Sequence, residues 1–293
     1  MPALLRTPRP TIVRTTTCAS DVTADTPLFQ RLSSARVIDL EQPRFASMPS
    51  HPAHQPAYFY GLHRRHGDNY RPQQEGQRSG SSGVLHMKEH SGTHIDALCH
   101  QAADLTLFGG IRVADVETTT GFTKLGIESV PPLLRRGVLL DVAAWRNVDR
   151  LPAGHAISAD ELQACAQAQQ VTVGKGDVLL VRTGYGAAWN DEPIYMTCAG
   201  VSKSGTVWAA DQGVAAVGAD NLAWDTLAER DPETGSTLFA HIHLLQRHGI
   251  YIMENMNLET LSAANVHVFA FVGIPLKFRG ATGSPIRPLA LVD

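Results

Sequence analysis

In the segment His90-Ser-Gly-Thr-His94-Ile-Asp96-Ala-Leu-Cys-His100, three imidazoles and a carboxylate fall within eleven residues. Gly92 lets the backbone turn sharply between the first two histidines. Such a turn can aim His90, His94 and Asp96 at one point. Nitrogen and oxygen donors of this kind suit zinc and also manganese. Three protein ligands leave a position open for water, whose pKa a divalent ion lowers to about 7, so that hydroxide is available near neutrality. The spacing alone serves a second reading equally well: a hydrogen-bonded loop that holds no ion. His51, His54, His63 and His66 lie in a proline-rich stretch and read as solvated loop residues. Cys99 reads as a small packing residue rather than a soft ligand or a nucleophile. The chain contains no G-x-S-x-G elbow and no Walker A pattern, so serine-nucleophile and nucleotide chemistry have no support.

The elements that must position this cluster alternate between strand and helix. Val84–Met87, the apolar run Gly137–Val142, Asp177–Thr183, Val214–Val217, Ile250–Met253 and Val266–Ile274 have strand character. Ser158-Ala-Asp-Glu161 has the form of a capping box that opens a helix to about Gln169. Ser202 caps a second helix to about Gln212, and Leu238–Arg247 reads as a third. The alternation predicts an α/β protein with a buried sheet. Residues 1–35 read as an irregular N-terminal arm, and 36–293 as one domain. The segment Gln42–Gly83 is loop-rich, and its Tyr58, Phe59 and Tyr60 are candidates for an apolar lid over an aromatic substrate.

Composition narrows the partners. The 293 residues carry 25 Lys+Arg against 28 Asp+Glu, which lacks the clustered positive charge that nucleic acid requires. No stretch is apolar for the length a bilayer requires, so no membrane partner is expected. The four cysteines, Cys18, Cys99, Cys165 and Cys198, are far apart and form no CxxC pair; a reducing, cytoplasmic setting is expected.

The cluster resembles the signature of the cyclase family of metal-dependent hydrolases, which includes bacterial kynurenine formamidase and isatin hydrolase. Further motifs follow in the family's order: Gly176-Asp-Val-Leu-Leu-Val-Arg-Thr-Gly184 with Trp189, Val217-Gly-Ala-Asp-Asn221, His241 through Gly249-Ile-Tyr-Ile-Met-Glu254-Asn, and Gly280-Ala-Thr-Gly-Ser-Pro-Ile-Arg-Pro288. The resemblance runs from about Arg36 to Asp293. It implies a swivelling β/β/α-type fold with a mixed central sheet flanked by helices. It implies that His90, His94 and Asp96 are metal ligands, that His100 is either a second-metal ligand or a general base, and that His241 and Glu254 complete a second metal site or line the pocket. Leu98 and Cys99 stand where the family often has proline and an aromatic residue, which bears on the substrate more than on the metal. The implied activity is hydrolysis of a carbon–nitrogen bond in an amide, formamide or cyclic amide of a small molecule, an aromatic one included, with one or two manganese or zinc ions per chain. The alternatives are an ester or lactone hydrolase, a ring-closing enzyme, or a metal-binding scaffold without activity. A homodimer or homotetramer is implied as well.

Overall fold

The computed structural model describes residues 27–227, 230–233 and 235–293. The first 26 residues of the arm, Cys18 among them, lie outside the described residues. The remainder of that arm is not irregular: Pro27–Ser34 forms a two-turn helix, α1, with no buried side chain.

The main body is built on a nine-stranded mixed sheet. Its strands are β1 (Arg36–Asp39), β4 (His94–Asp96), β5 (Leu133–Asp141), β6 (Val178–Arg182), β7 (Ala216–Ala219), β8 (Tyr251–Glu254), β9 (Val268–Gly273), β10 (Gly283–Pro285) and β11 (Leu289–Val292). The numbers β2 (Tyr58–Arg64) and β3 (Ser82–Met87) belong to a separate two-stranded ribbon. The sheet order is β1-β11-β9-β5-β6-β7-β8-β4-β10. The central four strands, β5 to β8, are parallel, while β9, β11, β4 and β10 add antiparallel pairs on either side.

The strand sequences explain this arrangement. Parallel strands covered on both faces read as continuous apolar runs rather than alternating ones. Val138, Leu139 and Leu140 of β5, and Val178 to Val181 of β6, are fully buried. Burying each such side chain contributes about 1.5–3 kcal/mol. One face packs against α2 (Ala159–Ala168), α3 (Lys203–Asp211) and a π-helix (His241–His248) through Val138, Leu140, Leu179, Leu162, Ala209 and Leu244. The other buries Leu139, Leu180, Met253 and Ile95 with Leu258, Phe269 and Phe271.

The helix starts follow their expected caps. Ser158 Oγ accepts from Glu161 N–H at 3.2 Å while the Glu161 carboxylate accepts from Ser158 N–H at 2.9 Å. Ser202 Oγ accepts from Gly205 N–H at 3.3 Å. The helix expected over Leu238–Arg247 is present: it starts at Phe239, is a π-helix from His241 to His248, and stops at Gly249 with φ +67°. The stretch expected to be loop from Gln42 to Gly83 contains β2, which pairs antiparallel with β3. Its prolines hid this strand, because they stand before Tyr58 and after Arg64 and not within the run.

Two motifs prove to be joints of the sheet. The Asp220 carboxylate accepts from Thr183 N–H and Oγ1–H at 2.7 Å and from Gly184 N–H at 2.8 Å, locking the ends of β6 and β7 together. Asn221 Nδ2–H donates to Ala199 O at 2.9 Å, and its Oδ1 accepts from Trp224 N–H at 2.9 Å. That turn delivers the next residue, Asp225, behind the π-helix.

Candidate metal centre and pocket

Three adjacent strands bring the cluster together. In the antiparallel register His94 of β4 stands opposite Glu254 of β8 on one side and Pro285 of β10 on the other. Gly92, at φ +62°, makes the turn that returns the chain from His90 into β4. Its carbonyl accepts from His94 Nδ1–H at 2.8 Å, leaving His94 Nε2 to face Glu254 Oε2 at 3.3 Å and Asp96 Oδ1 at 3.6 Å. Asn255 Nδ2–H holds the same Gly92 carbonyl at 3.2 Å.

His241, at the first position of the π-helix, donates from Nδ1 to Asp225 Oδ2 at 2.9 Å. Its Nε2 faces Glu254 Oε1 at 3.1 Å and Asp96 Oδ2 at 3.6 Å. His90 Nδ1 donates to Asp96 Oδ1 at 2.8 Å, and its Nε2 meets Thr282 Oγ1 at 2.7 Å. The Thr282 hydroxyl donates in turn to the Glu89 carboxylate. Thr282 therefore accepts from His90, and both His90 nitrogens carry protons. The His100 ring stacks on His90, with centroids 3.9 Å apart.

Asp96 is the hub. It forms one group of mutually close donors with His90 and His100, and a second with His241 and Glu254. His94 joins the second through its Nε2 contacts. The six residues expected from the sequence thus converge, but the grouping differs from the expected His90–His94–Asp96 set.

The electrostatics suit a cation. Burial works against charge on His241, yet the carboxylates of Asp225 and Glu254 raise its pKa well above the usual imidazole value. Burial also opposes charge on His90, and Asp96 overcomes it and raises the pKa. For Asp96 the cost of burial is outweighed by the imidazoles packed around it, His90 among them through its hydrogen bond, so its carboxyl stays ionised far below the usual range. Burial pushes His100 well below 6.5 and lowers His94, so both are neutral. Asp96 Oδ2 and Glu254 Oε1 are buried without a hydrogen-bond partner among the described residues. Two unsatisfied carboxylate oxygens beside histidine nitrogens form a donor set that fits a divalent ion. Binding one would be coupled to release of the protons on His90 and His241.

The cluster opens into a cavity of about 190 Å³, lined by His51, His54, His90, His94, His100, Gln101, His241, Glu254 and Asn255 together with Leu222, Ala223 and Leu238. His51 and His54 are therefore pocket residues, not solvated loop residues. His63 stays on β2 and His66 opens the 3-10 turn after it, near Ser82 and Ser79 respectively. Phe59 and Tyr60 are more than half exposed and do not line this pocket, so no lid is formed by them. Within the Gly280–Pro288 motif, Gly280 sits in a turn at φ +75° and Gly283–Pro285 is strand β10. Gly283 is required there because a Cβ would stand 2.6 Å from His90 Cε1.

Four residues that support the site were given no role from the sequence: Asp225, Asn255, Gln101 and Thr282. Asn255 and Thr282 stand inside quoted motifs and Gln101 and Asp225 beside them, but nothing in type or spacing marks what they do. Their partners are 16 to 192 positions away, apart from Gln101, which neighbours His100.

The Cyclase family model, described as "Putative cyclase", matches residues 38–226, more than half of the chain. The chain belongs to the Cyclase family. The matched region includes His90 to His100 and Asp225 and ends before His241 and Glu254. Among solved structures, this Cyclase-family chain is similar to a novel cyclase at 26% identity and a TM-score of 0.75, covering 89% of this chain and 88% of that one. It is similar to isatin hydrolase A from Ralstonia solanacearum at 21% identity, TM-score 0.67, covering 92% and 100%. A predicted metal-dependent hydrolase from Bacillus stearothermophilus is similar at 19% identity, TM-score 0.55, covering 88% and 98%. The latter two establish the fold, a mixed sheet flanked by helices as the sequence resemblance implied. Among the described residues, no helix is long and apolar enough to cross a membrane.

Proposed function

We propose that this chain is a metal-dependent hydrolase that cleaves a carbon–nitrogen bond in a small amide, formamide or cyclic amide. One observation carries the reading: Asp96 Oδ2 and Glu254 Oε1 are unsatisfied and buried where His94, His241, His90 and His100 converge on a small pocket. His94, Asp96, His241 and Glu254 would hold one divalent ion, manganese or zinc. Asp96, His90 and His100 form a second set of donors. When bound, such an ion supplies Lewis acidity toward a carbonyl and lowers the pKa of water.

The chain's own groups supply the rest. The Gly92 carbonyl keeps a proton on His94 Nδ1, and the Asp225 carboxylate keeps one on His241 Nδ1, so both rings turn Nε2 toward the carboxylates. With one ion held by His94, Asp96, His241 and Glu254, burial keeps His100 neutral and its lone pair free to take a proton from water; a second ion on His90, Asp96 and His100 would make it a ligand instead. With Gln101 Nε2–H as a donor at 3.3 Å, the His100 lone pair is on Nε2, in a long contact that a substrate-side donor can replace. His100 then returns the proton to the leaving nitrogen. Leu222, Ala223 and Leu238 supply apolar wall beside these polar groups.

The test is turnover of a matched amide and ester by manganese-loaded and zinc-loaded protein. Metal-dependent cleavage of the amide is expected. Cleavage of the ester alone would move the assignment to an ester or lactone hydrolase, and cleavage of neither across a panel of small amides would leave the scaffold reading.

A further inference from the structure

The loop between β1 and β2 ends in one turn of 3-10 helix, Pro52–His54, which carries two histidines into the pocket lining. The turn is fixed by its own hydrogen bonds: His54 N–H donates to His51 O at 2.9 Å, and Ala53 N–H donates to His51 Nδ1 at 3.2 Å. The His54 ring lies 5.0 Å from the His90 ring and 6.5 Å from the His100 ring, centroid to centroid. It is half-buried, yet its nitrogens make no hydrogen bond to the described residues, and its neighbours are other imidazoles. A partly buried ring that faces a cavity with its hydrogen-bonding capacity unused is available to a ligand. The described lining contains no Lys or Arg; besides the imidazoles it has Glu254, Gln101 and Asn255, and its apolar wall is Ala53, Leu222, Ala223 and Leu238. A substrate group that reaches His54 meets a hydrogen-bonding ring with no Lys or Arg on the lining, and once a bound ion has displaced the protons of His90 and His241 no cationic side chain remains there to pair an anion.

We propose that His54 orients the substrate by hydrogen-bonding a carbonyl oxygen or N–H of an uncharged amide, and that this contact sets specificity for neutral over anionic substrates. The inference rests on the pocket being the hydrolase site. His54 acts on binding; the proton transfers stay with His100. Because the turn is held by its own hydrogen bonds, the ring is placed before substrate arrives, which lowers the cost of ordering it.

The test is a calorimetric titration of the manganese-loaded protein with isatin, a neutral cyclic amide, and with isatin-5-carboxylate, alongside elemental analysis of each variant. For wild type, isatin is expected to bind at least about tenfold more tightly than the carboxylate. His54→Ala should weaken isatin binding by about tenfold, the loss expected when one hydrogen bond is removed, with metal content unchanged. His54→Gln, which keeps a donor and an acceptor, should recover most of that loss. In turnover the Ala variant should raise KM more than it lowers kcat. Unchanged isatin binding in His54→Ala, or equal affinity for the two probes, would overturn the proposal. Loss of metal in His54→Ala would also overturn it, since His54 would then be a ligand. Full metal content with no isatin binding in wild type would overturn the substrate class and leave the metal site standing. A wild type that takes up no manganese would remove the hydrolase reading itself.

Discussion

Asp225 is the residue whose change tests the site's architecture most sharply. Its two oxygens have separate tasks: Oδ1 accepts from Ala240 N–H at 2.7 Å, and Oδ2 accepts from His241 Nδ1–H at 2.9 Å. Asp225→Asn preserves the shape but leaves only one acceptor oxygen. If the amide oxygen serves Ala240, the NH2 faces His241 Nδ1 and forces its proton to Nε2, the nitrogen needed beside Glu254 and Asp96. If the oxygen serves His241, the NH2 opposes the Ala240 N–H at a separation that admits no second donor. Either way the imidazole loses its orientation or the helix start loses a bond. Removing such a carboxylate behind a metal-bound histidine typically weakens the metal by about 10–100-fold, or about 1.4–2.8 kcal/mol. Competition with a chelator of known affinity, on protein whose circular dichroism matches wild type, measures this. A folded Asp225→Asn protein that binds manganese or zinc within about twofold of wild type would refute the argument that Asp225 sets the tautomer of a ligand.

Three further outcomes follow from other parts of the molecule. Gly92→Ala forces a Cβ into the left-handed region at φ +62° and to 3.1 Å from Arg44 Nε, so urea unfolding should show a loss of about 1–2 kcal/mol; equal stability would contradict the strain. Burial pushes the Cys99 and Cys165 thiols up to about 12 and Cys198 up to about 11, so these three should resist Ellman's reagent at pH 8 until the protein is denatured. Rapid labelling of any of them in the native state would count against their burial. Burial, helped by His248 and Arg247, pushes His243 down to about 4, so the folded state binds this proton less readily than the unfolded chain. Its contribution is full above pH 6.5 and is lost as pH falls toward 4, and His243→Leu should flatten the fall in Tm over that window. An unchanged Tm profile in the variant would show that His243 carries no such linkage.

The fold was legible where burial writes a pattern. The runs GVLLDV and DVLLVRT are apolar without alternation because parallel strands bury both faces, and the capping box at Ser158 marks its helix directly. Half of the β2–β3 ribbon was legible, since Val84–Met87 read as a strand and lies in β3; β2 was not, because its apolar side chains Phe59, Tyr60 and Leu62 stay exposed and leave no burial pattern that separates strand from loop. The same limit hid His51 and His54, whose approach to His90 is set by a turn more than 30 positions earlier in the chain. The H-x-G-T-H-x-D segment disclosed its ligand types, but its grouping around Asp96 depends on the β4–β8 register, which places Glu254 against His94. The roles of Asp225, Thr282 and Asn255 were hidden for a related reason, although the last two stand inside quoted motifs. Each is an ordinary polar residue whose role exists only through a partner brought close by the sheet.

Two converging sets of candidate metal donors share Asp96. Elemental analysis of wild type and Asp96→Asn, both purified without chelator and then offered manganese or zinc, tests that sharing most directly. One or two equivalents of metal in wild type, and none retained by a folded Asp96→Asn protein, is the predicted result. Wild type that takes up neither ion, or an Asp96→Asn protein that keeps its full complement, would contradict it.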